Sequence, residues 1–189
     1  MTLPISRTVL RLVLITSMLL CCVYGCSKER LDEEAWVARG QAALKPFKQQ
    51  LMGALIEGLQ DGPIGAIDVC RVEAPRIARE VSTPGVRMGR TSHRLRNEAN
   101  APGKWMQPLL EGYVNAPGRS GPQVVRLGAG GVGYVEPILV KSPCLACHGS
   151  DLDPALAVRI DANYPEDKAR GFREGDFRGL FWVEFDKVK

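Results

Sequence analysis

Cys144-Leu145-Ala146-Cys147-His148 governs the interpretation of everything around it. C-x-x-C-H is the attachment sequence of c-type haem. Two thiols three positions apart can add to the two vinyl groups along one porphyrin edge. The histidine that follows at once is placed to set its imidazole on the iron from the proximal side. A zinc half-site and a redox dithiol are the alternatives. Zinc asks for about four nitrogen or sulfur ligands, and beyond this motif the chain offers only His93 and scattered cysteines. A thioredoxin-type pair sits at a helix start in a βαβ setting, and no such pattern precedes Cys144. One covalent haem c, held by Cys144 and Cys147 with His148 on the iron, is the expected cofactor.

Outward from the motif, residues 154–163 read as a helix and residues 179–185, with Phe181, Trp182, Val183 and Phe185, as a strand. On the other side, residues 124–127 and 132–140 flank Gly128-Ala129-Gly130-Gly131, the pattern of a β-hairpin whose second strand runs into the motif. That glycine cluster is no phosphate loop, because neither Lys-Ser/Thr nor a helix follows it. A short helix is expected near residues 105–113, and residues 86–96 read as a strand leading into a loop. Farther back, Ile64, Ile67, Cys70, Ala74, Ile77 and Val81 recur at steps of three and four and share one helix face. Pro75 should kink or divide that helix. Residues 29–60 form a longer amphipathic pattern, with a possible break at Pro46 and a stop at Asp61-Gly62-Pro63. Its apolar face, including Leu51, Leu55, Ile56 and Leu59, is expected to pack on a sheet. Helices first and an antiparallel sheet afterwards make the fold class α+β.

The first residues are not part of that fold. Arg7 and Arg11 precede an apolar run over residues 12–23, a basic region followed by an export core too short for a confident membrane span. Val23-Tyr24-Gly25-Cys26 resembles a bacterial lipobox, in which the cysteine is lipidated and becomes the new N-terminus. Ordinary cleavage near Gly25 and an uncleaved anchor are the alternatives, and all three deliver the domain to the outer side of the cytoplasmic membrane. The expected organisation is a lipoprotein signal peptide over 1–25, a tether over 26–34 and a haem domain over 35–189. Ser27 after the cysteine favours the outer membrane by the same resemblance.

The whole chain has 189 residues and a formal net charge of +4. Losing the leader removes Arg7 and Arg11 and no acidic residue, so the exported chain is close to neutral. Its arginines are mixed with carboxylates and lack interleaved aromatic platforms, which argues against nucleic acid as a partner.

Of the six cysteines, Cys21 and Cys22 lie in the leader, Cys26 takes lipid, and Cys144 and Cys147 take porphyrin. Cys70 is left over. It is either a small buried hydrophobe or the distal iron ligand, a thiolate held by the metal. The rival ligands are His93, in a polar setting among Arg90, Arg94 and Arg96, and Met52, Met88 and Met106. Met52 is expected to be core packing.

Several segments resemble, in the same order, a family of single-haem c-type domains. They are Ala66-Ile67-Asp68-Val69-Cys70 with Ala74-Pro75-Arg76-Ile77-Ala78, and Gly89-Arg90-Thr91-Ser92 with Leu95-Arg96-Asn97. The haem motif follows, then Tyr164-Pro165-Glu166-Asp167-Lys168-Ala169 and Gly175-Asp176-Phe177-Arg178-Gly179. The resemblance implies a PAS-like fold, found alone or as the extracytoplasmic sensor part of signalling proteins. It also implies His148 as proximal and Cys70 as distal ligand. At His93 the family usually has an apolar residue, so His93 stands as the rival sixth ligand. Haem propionates are anions, and arginine clamps a carboxylate with two hydrogen bonds. Arg90 and Arg96 are therefore candidate propionate partners, the alternative being a solvated basic strand face shared with Arg87 and Arg94.

Histidine and thiolate together stabilise ferric iron, so the expected centre is low-potential and six-coordinate, with no open position. No acid, base or nucleophile set stands beside it, and the chain is not expected to be an enzyme. The expected role is electron transfer with a periplasmic redox partner. A redox or small-gas sensor working with a separate output protein is the second expectation, and a structural lipoprotein without haem the third.

Overall fold

A computed structural model describes residues 31–116 and 118–187. The expected leader over 1–25 and the expected lipidation site Cys26 lie outside the described residues. Helix α1 covers Glu33–Gln60 and α2 covers Gly62–Val81. Strand β1 (Val86–Thr91) follows, then α3 (Gln107–Val114), β2 (Gln123–Arg126) and β3 (Val132–Leu139). The haem motif forms a 3-10 turn, Ser142–Cys144, running into a single helical turn α4, Leu145–His148. Helix α5 (Pro154–Asn163) and strand β4 (Phe177–Phe185) complete the chain. From Glu33 onward the described residues form one compact unit.

Neither interior proline divides its helix. Helix α1 continues through Pro46 and α2 through Pro75. Each proline leaves one carbonyl without its helical donor, and packing of the rest of the face outweighs that loss. The two helices lie against each other and α1 also reaches the sheet. Gly40 carries the closest approach, because a Cβ there would overlap the Tyr134 ring. One and two turns on, Leu44 and Phe47 are buried, with Phe47 edge-on to Phe181 at 5.9 Å. Lys48 closes this contact on Glu136 at 2.6 Å. Beyond Phe47 the apolar face is covered only in part, with Leu51 and Leu55 half-buried. Met52 and Ile56 are each 56% exposed and Leu59 42%, so Met52 is not core packing. Met88 and Met106 are buried instead.

The four strands form one antiparallel sheet in the order β1-β4-β3-β2, the expected α+β arrangement with its helices first. Central β4 pairs with both β1 and β3. Its Leu180 and Val183, with Tyr134 and Val135 of β3, are fully buried. The ladder between β3 and β4 is regular from Val132↔Phe185 to Ile138↔Gly179, then jumps to Leu139↔Phe177. Arg178 is thus an extra residue, bulged out of β4. A bulge bends its strand and re-aims the side chain it carries. Gly179 permits it, since φ there is +157° and a Cβ would strike the Thr91 carbonyl oxygen.

Candidate functional site

The haem motif is fixed by the segment that follows α5. His148 Nδ1 lies 2.7 Å from the Ala169 carbonyl oxygen, and a carbonyl only accepts, so Nδ1 carries the proton and Nε2 is left for another partner. The backbone repeats the contact on either side. Phe172 N–H donates to the His148 carbonyl at 2.9 Å and Gly171 N–H to that of Gly149 at 2.8 Å. Burial, with the charges of Arg178, Arg96 and Arg90, pushes the His148 imidazolium down to about 3, against the raising effect of Ala169. The ring is therefore neutral, as a metal ligand must be.

Residues 167–172 are gripped in turn by the chain after β1. Arg94 donates to the carbonyls of Lys168 and Arg170, and Lys168 N–H to that of Leu95 at 2.8 Å. Arg96 does most. Its guanidinium meets both oxygens of Asp167, at 3.1 and 3.2 Å, and donates to the Cys147 carbonyl at 2.6 Å and the Ala169 carbonyl at 3.3 Å. One arginine thus ties the motif to the segment that orients its histidine. Burial raises the Asp167 carboxyl, but Arg96, Arg170 and the Ala169 N–H outweigh it and hold it below its ordinary value.

Helix α2 supplies the other side. Cys70 lies one turn beyond buried Ile67, which packs with Leu156 and Ile160 of α5; Cys147, Leu152 and Tyr164 pack against this cluster. Asn163 and Arg159 fasten α5 to Asp68 at 2.9 and 3.0 Å. Cys70, Cys144 and Cys147 are unbridged and half-buried. Burial raises the Cys70 thiol while Arg90 and Arg96 lower it. Burial likewise raises Cys147, which also feels Cys70. Arg90 and Arg96 act on both Cys70 and His148, so both candidate axial residues lie within electrostatic reach of the same two arginines.

His93 makes a separate set of ring contacts. It is exposed, stacks on Phe177 at 5.5 Å and meets Phe172 edge-on at 6.1 Å. Phe177 stacks in turn on Tyr113 at 5.2 Å. These rings, with Arg94 and Arg119, line a cavity of about 310 Å³. Phe172 also meets His148 edge-on at 6.3 Å, which joins this cavity to the haem motif.

The residues fit a haem. Two thiols and a neutral, oriented imidazole lie within five residues, and a further sulfur, Cys70, stands one turn along α2 from Ile67, which packs with Cys147. Among the described residues no three His, Cys, Asp or Glu side chains gather closely enough to cage a bare ion, which a zinc site requires.

Sequence reasoning missed Arg178. It is bulged from β4 and donates to Ser92 Oγ at 2.7 Å and to the Arg94 carbonyl at 3.2 Å, while its buried Nε has no partner. Burial, then Arg90 and Arg96, push it down to about 10 against the pull of Asp167. Asp167 and the Ala169 carbonyl were also missed as holders of the site. The segments resembling the family, residues 164–169 and 175–179, contain all three, and that was the available signal.

The Tll0287-like family model, Tll0287, matches residues 27–185. No curated protein matches the chain. Among solved structures, the crystal structure of the cyanobacterial heme-protein Tll0287 is similar at 26% identity. The match covers 78% of this chain and 92% of that one, with a TM-score of 0.59. With the family model spanning nearly all of the described fold, the chain belongs to the Tll0287-like family.

Proposed function

We propose that the chain is an exported single-haem c-type cytochrome domain that carries electrons. The hydrogen bond from His148 Nδ1 to the Ala169 carbonyl carries this reading. A histidine that ligates a metal donates its other ring N–H to a carbonyl or carboxylate, which fixes the tautomer and aims the free nitrogen. Membership of a family whose solved member is a heme-protein supports the same conclusion.

In this reading Cys144 and Cys147 form the thioether links, His148 is the proximal ligand and Cys70 the distal one. Bound haem supplies a one-electron ferric/ferrous couple. The chain's own residues set the conditions for it. Burial and the neighbouring arginines keep His148 neutral, Ala169 fixes its tautomer and aims it, Arg96 locks the motif, and Ile67, Leu156 and Ile160 exclude water from the Cys147 side. A thiolate at Cys70 favours the ferric state and a low potential. No catalytic residue is assigned. Cys26 anchors the domain by lipid on the periplasmic side of a bacterial membrane, the outer one where the cell has two, and the partner is a periplasmic redox protein.

Two measurements test this. Protein made with a cytochrome c maturation system is expected to give a pyridine haemochrome with both vinyl groups saturated; colourless protein would end the reading. In the haem-loaded protein, Cys70→Ala is expected to remove the thiolate features of the ferric spectrum, and His93→Ala to leave them. An unchanged spectrum in Cys70→Ala removes Cys70 from the iron.

A redox or small-gas sensor is the second reading, and the cavity beside His93 favours it, because Phe172 touches both His93 and His148. Rapid CO binding to the ferrous form with loss of the thiolate features supports the sensor. Reversible cycling with both ligands retained supports the carrier.

A further inference from the structure

The fold places more positive charge around the site than it neutralises. Arg90, Arg94, Arg96 and Arg178 all belong to one electrostatic cluster, with Asp167 as the carboxylate acting on Arg178. That carboxylate is shared between Arg96 and Arg170. Among the described residues the Arg90 guanidinium has no hydrogen-bond partner, although the residue is half-buried. Arg178 keeps one buried N–H unmet. A buried guanidinium with an orphaned donor and like charges for neighbours is costly unless an anion joins it.

The backbone has been shaped for this side chain. Arg178 is the one residue by which β4 outruns β3, and Gly179 makes that bulge possible by accepting φ of +157° against the Thr91 carbonyl. Ser92 holds the bulge from both ends. Its hydroxyl donates to the Arg178 carbonyl at 2.6 Å and accepts from the Arg178 guanidinium at 2.7 Å. A regular strand residue needs none of this. Two of the guanidinium's three nitrogens, Nε and Nη2, make no hydrogen bond among the described residues, and adjacent nitrogens of that kind match the two oxygens of a carboxylate.

We propose that Arg178, together with Arg90, is the seat of a haem propionate. The proposal rests on the haem reading above and adds to it the residue that receives the cofactor's carboxylate. The Arg178 guanidinium lies over the Phe172 ring at 5.3 Å, and that ring meets His148 edge-on at 6.3 Å, so its charge reaches the iron that His148 would hold. A positive charge favours the reduced state, and removing it leaves an unpaired propionate that disfavours that state further. Both effects have the same sign.

The test uses the haem-loaded protein. Arg178→Gln is expected to keep its covalent haem, by pyridine haemochrome and intact mass, and to shift its midpoint potential downward. Arg178→Lys is expected to recover part of that shift, and the control Arg39→Gln, on α1 over Trp36, to show no shift. A purely structural Arg178 would lower the melting temperature and leave the potential unchanged, and that result overturns the proposal. Should Arg178→Gln fail to load, the crystal structure of the haem-loaded wild type decides. A propionate oxygen within hydrogen-bond distance of Arg178 upholds the assignment, and two propionates directed elsewhere overturn it. Wild type without haem would instead defeat the cytochrome reading itself, a separate and visible result.

Discussion

Asp167 is the residue on which the site's assembly turns. Its side chain is 2% exposed and that of its partner Arg96 10%. Removing one member of such a pair leaves the other charge buried and unmatched, at a cost of about 3 kcal/mol. Asp167→Ala should therefore lose about that much stability in chemical denaturation at neutral pH. The pH dependence has a definite sign. The folded carboxyl lies below its ordinary 3.8, so its contribution is complete above the unfolded value and is lost as pH falls through the folded one. The gap between wild type and Asp167→Ala should close below pH ~4. A gap that stays constant on acidification would show that charge is not what Asp167 supplies.

Elements were more legible in the sequence than their interruptions. The period of apolar residues located α2, and Pro154 through Asn163 emerged as a helix with the bounds later seen. The hairpin of β2 and β3 was legible from its glycine-rich connection. Pro46 and Pro75 do not divide their helices, because the cost of a helical proline is local, whereas the packing that outweighs it is tertiary. The exposed end of α1 misled for a related reason: Met52, Ile56 and Leu59 continue the pattern that Leu44 and Phe47 begin, and no periodicity shows where the partner surface stops. At the site, C-x-x-C-H is contiguous and could be read directly. Arg178 could not, because its contacts to Ser92 and the Arg94 carbonyl join positions 86 and 84 residues apart. A bulge has no sequence signal beyond the glycine that permits it. The contact between α1 and β3 gives a test at this scale. Gly40→Ala puts a methyl group into the Tyr134 ring, whose residue is fully buried, so helix and sheet must separate. The expected loss is about 2 kcal/mol or more by urea denaturation. An unchanged midpoint would mean that the helix–sheet contact is not close-packed at Gly40.

Across the whole molecule the apolar interior is divided into clusters with different relations to the haem motif. Val135 and Leu180 of the sheet pack with Leu110 and Tyr113 of α3, without either motif cysteine. Ile67, Leu156 and Ile160 pack with Cys147, and Val140, Ala169 and Phe172 with Cys144 and Leu145. The sheet cluster is held by strand pairing on both sides of β4. The other two also draw on short segments, among them a helix of four residues that cannot persist by its own hydrogen bonds. Covalent haem would join these two clusters and match the arginine charge between them. Local opening free energy should therefore differ sharply between the two halves of the fold once that link is missing. Hydrogen exchange on Cys144→Ser/Cys147→Ser beside the haem-loaded wild type makes the comparison. Amides of β3 and β4 should keep most of their protection, while residues 142–163 exchange about ten-fold faster or more, as loss of roughly 1.4 kcal/mol of local stability requires. Equal loss across the sheet would mean that the fold depends on the cofactor throughout, and that the sheet cluster is no independent foundation for the site.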